Sequence, residues 1–170
     1  MQAARGKAIA ITGESAPRVW PVWLSIALVG YALDLGSKIV AVAYLDPNDP
    51  PVLLGGLLRL QLTRNPGAAF SLGSNLTVVL SIVAIAALLG VACYAAPRAK
   101  TVAQAVIVGL MLAGIAGNLT DRLFRAPGPL RGHVVDMFQF PYFAIFNVAD
   151  VFITTAAGLI ILIALRGDRR

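Results

Sequence analysis

Four long apolar stretches, separated by polar and turn-rich segments, organise this chain. They cover residues 21–44, 76–96, 102–119 and 143–165. Each approaches or exceeds the roughly 20 residues that a helix needs to cross the hydrocarbon core of a bilayer. Within that core a single segment satisfies its own backbone hydrogen bonds only as a helix. The pattern therefore predicts an integral membrane protein, mainly α, with four transmembrane helices.

The two longer segments between these stretches, residues 45–75 and 120–142, carry strand-like patterns. The first opens with prolines, aspartates and an asparagine, and then alternates apolar and polar residues from Leu58 to Thr63. Such alternation is typical of a strand with one buried face. The second segment has a short apolar run after a turn rich in glycine and proline. We expect one membrane domain over residues 20–170, with a small β-cradle at about 45–75 and an outer loop at about 120–142.

Composition agrees with a membrane protein and the distribution of charge indicates its orientation. Of the 170 residues, 58% are hydrophobic and 13% are charged, whereas a soluble domain has about 25% charged residues. The net charge of +6 comes from basic clusters that flank the apolar stretches at residues 5–18, 98–100 and 166–170. They form no continuous stripe for nucleic acid. They predict cytoplasmic termini, with residues 1–19 as a disordered tail that has no secretory signal.

Cysteine and histidine are too few for the common metal sites. Cys93 and His133 are single copies, which excludes an internal disulfide and a thiolate zinc site. We therefore expect no metal and no cofactor.

Polar residues inside or at the edge of the apolar stretches are candidates for function, because a charge in the bilayer is costly and usually faces a cavity or a partner. On the first stretch Asp34 and Lys38 are four residues apart and share a helix face. They can form an ion pair that neutralises itself and braces the bundle. At the outer end of the third stretch, Asn118 and Asp121 lie near Arg122.

The third-stretch residues have two structural interpretations. Gly114 lies one helical turn before Asn118, and a small residue followed by an amide favours close helix packing with a hydrogen bond between helices. Asp121 and Arg122 can instead extend toward the interface between lipid and water.

Asp150 is harder to explain by structure alone. It lies inside the fourth stretch, one turn after Asn147, in a span with no cation before its C-terminal end. The nearest unassigned acid in sequence is Asp136, in the loop that leads into this helix. If the loop folds onto the helix end, the two carboxyls meet and one of them holds a proton, which is the arrangement of an aspartic hydrolase. A proton relay and a structural role remain alternatives.

Four short motifs, in order along the chain, carry a family resemblance. They read Asn-Pro-Gly-Ala-Ala-Phe at 65–70, Gly-Asn-Leu-Thr-Asp-Arg at 117–122, His-Val-Val-Asp at 133–136 and Phe-Asn-Val-Ala-Asp at 146–150. Together with the acid and lysine of the first helix, they resemble the bacterial lipoprotein signal peptidases, also called prolipoprotein signal peptidase or signal peptidase II. The resemblance extends from the first helix to the fourth.

The resemblance implies an aspartic endopeptidase of the bacterial inner membrane that cuts the signal peptide from diacylglyceryl-modified prolipoproteins before the lipidated cysteine. It implies four transmembrane helices with an extracytoplasmic β-cradle, and membrane lipids as neighbours of a monomer. The catalytic aspartates would be Asp136 and Asp150. The residues that bind substrate or support the dyad would be Asp34, Lys38, Asn65, Gly114, Asn118, Asp121, Arg122 and Asn147. Leu35 departs from the family, which often has glutamine after the first-helix aspartate.

Three other classes of protein compete with this interpretation. A proton-coupled transporter also places aspartates in helices, but a chain of 170 residues would have to oligomerise to form a pathway. A membrane scaffold without activity predicts no specific loss when an aspartate is changed. A serine protease would pair a serine with His133, but the chain has no Gly-x-Ser-x-Gly sequence. We expect His133 to orient the strand beside Asp136.

Overall fold

A computed structural model describes residues 18–67 and 75–167 of the chain. The expected tail at residues 1–19 therefore lies almost wholly outside the described residues and stays a prediction. The same holds for residues 68–70, the second half of the first motif.

Four helices make up most of the described structure. Each is long and apolar enough to cross a membrane, the second of them together with the helical turns that continue it to Arg98. They are α1 (Trp20–Tyr44), α2 (Asn75–Leu89), α3 (Val102–Phe124) and α4 (Val148–Gly167). The chain continues α2 through a π-helical turn (Gly90–Ala95) and a short 3-10 turn (Ala96–Arg98). The prediction of four membrane-spanning helices is confirmed.

Two helix ends differ from the predicted spans. α3 continues to Phe124, five residues beyond the predicted end, so the outer loop starts later than expected. α4 begins at Val148 rather than 143, because the backbone of Phe146 pairs with Phe138 in a β-bridge instead of turning into a helix. An apolar residue indicates contact with lipid or with the protein core. Apolar content therefore does not distinguish a helix from a β-bridge at these positions. Asp150 consequently lies in the first turn of α4 and not several residues inside it.

A three-stranded antiparallel sheet covers the end of the bundle where α1 and α3 end and α2 and α4 begin. Its strands, in spatial order, are β1 (Val52–Leu53), β2 (Leu58–Asn65) and β3 (Val134–Gln139). The strand predicted from the alternation after Leu58 is therefore present as β2.

β3 is buried because it lies against the helices. Val135 and Met137 pack against Ala41 near the end of α1. Since successive side chains of a strand point to opposite faces, Asp136 points away from that apolar cluster. The pleat of β3 thus directs an acid toward the start of α4.

α3 is the centre of the bundle and contacts each of the other helices. Small residues let the helices approach closely. A Cβ added at Gly109 would come within 2.8 Å of the Trp23 carbonyl oxygen and closer still to Ile26. A Cβ added at Gly30 would come within 2.8 Å of the Ala113 Cβ. These glycines set the spacing between α1 and α3.

Candidate active site

The two predicted catalytic carboxylates come from different elements and meet at one residue, Asn147. Asp136 is the third residue of β3, and Asp150 is the third residue of α4. The Asn147 amide nitrogen Nδ2 donates to Asp136 Oδ1 at 2.6 Å, and the Asn147 backbone N–H donates to Asp150 Oδ2 at 3.1 Å. The loop before α4 therefore folds onto the helix end, as the sequence argument requires.

Asn147 and Asp150 together cap the N-terminus of α4. The Asn147 Oδ1 accepts a hydrogen bond from the Asp150 backbone N–H at 3.0 Å, and the Asp150 carboxylate accepts the Asn147 N–H in return. This reciprocal pair is a capping box, which satisfies two backbone donors that a helix start leaves unpaired. The carboxylate also lies at the positive end of the helix dipole. Asp150 is thus held in position by the local backbone itself.

Two further amides complete the hydrogen bonding around the two acids. Asn65, the last residue of β2, donates to Asp136 Oδ2 at 3.0 Å. Asn118 of α3 donates to Asp150 Oδ1 at 2.8 Å, and its own Oδ1 accepts from Asn147 at 3.1 Å. Each carboxylate therefore receives donors from two different segments, which fixes both its position and its orientation.

Asp34 reaches across the bundle to the same helix start. Its Oδ1 accepts the backbone N–H of Ala149 at 2.9 Å, so a residue of α1 caps α4. Its Oδ2 lies 2.9 Å from Lys38 Nζ, which confirms the predicted ion pair on one face of α1. Both side chains are fully buried. The pair does more than neutralise itself, because it joins α1 to the helix that carries Asp150.

Lys38 connects the residues that hold the elements carrying Asp136 and Asp150. Its Nζ also lies 2.9 Å from Asp121 Oδ2 and donates to Asn118 Oδ1 at 2.9 Å. Asp121 in turn accepts the backbone N–H of Val135, the residue before Asp136, at 3.1 Å. One buried ammonium group thus connects Asp34, which holds α4, with Asp121, which holds β3.

Asp121 does not extend to the membrane interface, so that interpretation was wrong for this residue. It is buried, and it pairs with Arg125 one turn later as well as with Lys38. Burial is possible because two cations and a backbone N–H compensate the carboxylate.

Arg122 lies beside the site without an ion-pair partner among the described residues. Its Nη1 is buried and makes no hydrogen bond with any residue in 18–67 or 75–167. A Cβ added at Gly67 would lie 3.7 Å from both terminal nitrogens of Arg122, so the guanidinium reaches the turn that follows β2.

Gly114 and Gly117 bring α3 close to α4. A Cβ at Gly114 would lie 2.6 Å from both the Ala149 carbonyl oxygen and Ile153 Cγ1. A Cβ at Gly117 would overlap the carboxyl of Asp34. Gly114 was predicted as a packing residue, and Gly117 stood in the second motif without an assigned role. Only the tertiary contact shows that Asp34 passes through the space a side chain at Gly117 would fill.

Burial changes the acidity of Asp136. Removal from water raises the pKa of Asp136 to about 6, and the nearby charge of Asp150 acts in the same direction. Hydrogen bonds from Asn65 and Asn147 favour the carboxylate and partly oppose this rise. The pKa of Asp136 therefore lies closer to neutral pH than that of an ordinary aspartate.

An aromatic cleft of about 430 Å³ opens beside Asp150. Phe140, Phe143 and Phe146 line it, with the ring of Phe146 centred 5.8 Å from each of the other two. Thr154, one turn after Asp150, lines the same cleft. A largely apolar substrate segment can therefore lie directly against the carboxylate.

Two buried hydroxyl residues of α2 hold the loops near the site and were not predicted from the sequence. Thr77 donates to the carbonyl of Pro66, the residue after Asn65, and Ser81 donates to the carbonyl of Leu130 at 2.7 Å. Both are buried. They are four residues apart on a helix at the start of an apolar run, so the one signal in the sequence was two hydroxyls on one helix face.

Comparison with known proteins places the chain in a family. The family model described as Signal peptidase (SPase) II matches residues 26–166. The chain belongs to the signal peptidase II family. It is a membrane peptidase that processes prolipoproteins, and the aspartic mechanism is known for this family. The resemblance inferred from the motifs is confirmed.

Named relatives in other bacteria support the same assignment. A lipoprotein signal peptidase of Leifsonia xyli is 46% identical over 84% of this chain, and the chain spans 66% of that protein. One from Streptomyces coelicolor is 42% identical over 86% of the chain and 71% of its own length. One from Mycobacterium avium is 39% identical over 92% of the chain and 88% of its own length.

Solved structures share the fold. A bacterial membrane enzyme determined by the in meso method has 27% sequence identity and a TM-score of 0.75, covering 85% of this chain and 93% of its own. A second has 24% identity and a TM-score of 0.71 over 86% and 88% of the two chains. The arrangement of four helices with a small antiparallel sheet is thus common to this chain and to those structures.

Proposed function

We propose that Asp136 and Asp150 form the catalytic dyad with which this peptidase removes the signal peptide from diacylglyceryl-modified prolipoproteins, before the lipidated cysteine. The observation that supports the pair is their shared contact. Two acids from separate elements both accept hydrogen bonds from Asn147, and one of them lines a cleft.

The two acids have different surroundings and therefore different tasks. Asp136, buried and with a pKa raised to about 6, is the general acid that protonates the carbonyl oxygen of the scissile amide. Asp150, half-buried at the cleft, is the base that takes a proton from water. The water oxygen bonds to the carbonyl carbon and gives a tetrahedral intermediate with two hydroxyl groups. Its C–N bond then breaks as the proton passes from Asp150 to the leaving amine, and one hydroxyl group returns a proton to Asp136 as the carbonyl re-forms. No covalent enzyme intermediate forms.

Arg122 is the candidate for holding the substrate. Its guanidinium has a buried donor with no partner among the described residues, and a buried donor without a partner is costly unless a ligand satisfies it. We propose that this donor binds a carbonyl oxygen of the substrate chain near the scissile bond. Asn118, Asn147 and Asn65 hold the dyad, and Asp34, Lys38 and Asp121 hold the elements that carry it.

Orientation and surroundings follow from the distribution of charge. Basic residues flank the helix ends opposite the sheet, as Arg18, Arg98, Lys100 and Arg166 show. Under the positive-inside rule this supports both termini in the cytoplasm and an extracytoplasmic sheet. We further propose the bacterial inner membrane as the location. Membrane lipids would then contact the exposed apolar faces of a monomer. Reporter fusions to the C-terminus of the chain would test the orientation.

Cleavage of a lipid-modified substrate tests the dyad. Purified protein in detergent is mixed with a diacylglyceryl-modified prolipoprotein, and the mature product is followed on a gel. Asp136→Asn and Asp150→Asn should each abolish cleavage, while Asp49→Asn, the same change at an exposed position, should not. If either dyad variant cuts at the wild-type rate, the assignment is wrong. We expect chelators to have no effect.

A further inference from the structure

A second, polar pocket lies on the sheet next to the aromatic cleft. It measures about 210 Å³ and is lined by Arg59 and Gln139, with the Phe140–Tyr142 bend along one side. Arg59 and Gln139 are direct partners in the pairing of β2 with β3. Phe140 and Pro141 also line the cleft that contains Asp150. The two cavities are therefore neighbours, separated only by this bend.

The two cavities differ in their chemistry and in their location. The cleft is lined by phenylalanines together with residues of α4, one of the helices long and apolar enough to span the membrane. The polar pocket is lined by residues of the sheet and its loops, and no residue of the four helices lines it. A chain that leaves the cleft across Phe140 and Pro141 would pass from an apolar surface onto a polar one.

This change of environment matches the substrate on either side of its scissile bond. The signal peptide and the acyl chains are apolar and belong in the membrane, whereas the mature lipoprotein is polar and begins at the lipidated cysteine. We infer that the polar pocket binds the first residues after that cysteine, and that Arg59 makes it favour an acidic residue there. The inference rests on the proposed function.

The side chains of Arg59 and Gln139 carry donors that suit an acidic, extended segment after the lipidated cysteine. The Arg59 guanidinium makes no hydrogen bond or ion pair with any residue that the structure describes, and the residue is exposed. It can form two parallel hydrogen bonds with one carboxylate. The Gln139 amide can pair with the backbone of an extended chain. Because Arg59 is exposed to solvent, the selectivity should be modest and should weaken as salt increases.

Two substrates and one charge reversal test the inference. Two diacylglyceryl-modified prolipoproteins are prepared that differ only in having aspartate or lysine as the second residue after the lipidated cysteine. The measured quantity is the ratio of their kcat/KM values, which does not depend on how much of a variant is correctly folded. It is determined for the wild type, Arg59→Glu and Arg59→Gln. Arg131→Glu, the same reversal at an exposed loop position outside the pocket, serves as the matched control.

We expect the wild type to prefer the aspartate substrate by about threefold, Arg59→Gln to remove the preference, and Arg59→Glu to invert it. Arg131→Glu should keep the wild-type ratio. A ratio unchanged in Arg59→Glu, or shifted equally by Arg131→Glu, overturns the inference while the dyad stands. If the wild type cuts neither substrate, or Asp136→Asn cuts both, the proposed function itself fails.

Discussion

In the half of the bundle away from the sheet, here called the inner half, α1 and α3 approach through Gly109 against Ile26 and Trp23. The buried side chains there are small and apolar, such as Ala105 and Val108. At the end next to the sheet, here called the outer end, the same two helices are joined by Asp34 and Lys38, together with Asp121 of α3. The inner contacts are packing, and the outer contacts are charges and hydrogen bonds.

The comparison shows that the buried polar residues of these helices are concentrated at one end of the bundle. Close packing alone holds helices together in lipid, so the inner half needs no charge. At the outer end the buried charges hold the elements that carry Asp136 and Asp150, and their burial is possible only because each is compensated. Changes in the inner half should therefore reduce stability alone, whereas changes at the outer end should reduce catalysis as well.

Among changes outside the proposed dyad, the largest effect should come from Lys38→Met. The substitution leaves the buried carboxylate of Asp34 with no ion-pair partner among the described residues, and removal of one partner from a buried pair costs about 3–5 kcal/mol. We expect a strong loss of both thermal stability and cleavage in detergent. Lys100→Met, at an exposed position, should behave as wild type. An active, stable Lys38→Met protein would show that the cluster is dispensable.

The next largest effect should come from Gly117→Ala. Its methyl group would overlap the Asp34 carboxyl and break the cap on Ala149, which displaces the helix start that carries Asp150. Displacement of a catalytic group by about 1 Å can cost about 10²-fold in rate. Gly36→Ala on α1, where a Cβ meets nothing within 4 Å, is the control. Equal rates for the two variants would mean that Asp34 does not position α4.

Gly109→Ala tests the inner half. The added methyl group would contact Ile26 and the Trp23 carbonyl oxygen, and overpacking of this kind costs about 1–3 kcal/mol. We expect a lower unfolding temperature in detergent, with an unchanged pH profile of cleavage for the folded fraction. Gly158→Ala, in open space, should lose no stability. An altered pH profile in Gly109→Ala would contradict the separation of the two halves.

The pH dependence should identify the general acid. A pKa of about 6 for Asp136 means that kcat/KM falls as pH rises through that value, because the acid loses its proton. The hydrogen bond from Asn65 lowers this pKa, so Asn65→Leu should raise it. The fall in kcat/KM should then occur at a higher pH, together with a lower maximum. A shift to lower pH would assign the proton to another group.

The smallest effect should come from Thr77→Val, which removes the hydrogen bond to Pro66 and loosens the turn that holds Asn65. One hydrogen bond is worth about 1 kcal/mol, so we expect about a fivefold lower kcat/KM. Thr77→Ser keeps the hydroxyl and should restore the rate. A valine variant with the wild-type rate would remove Thr77 from the positioning of Asn65.

Much of the site could be predicted from the sequence, but some long-range contacts could not. Asp150 stood out because it lies in an apolar stretch without a nearby cation, and Asp136 because it is the nearest unassigned acid in sequence. The pairing of Asp34 with Lys38 followed from their helical spacing. The capping of α4 by Asp34 did not, since the two groups are 115 residues apart. Nor did the link from Asp121 to the backbone of Val135, because a backbone donor has no signature in the sequence.

The sequence by itself determined four membrane-spanning helices, the strand after Leu58 and the family. Each depends on periodicity, on the length of an apolar run, or on a local motif, and these properties are read along the chain. The tertiary structure decided that α4 begins at Val148, that Gly117 leaves room for Asp34, and that Lys38 joins the supports of both acids. These features depend on which distant groups come within hydrogen-bonding distance, which only the packing of the helices and the sheet establishes.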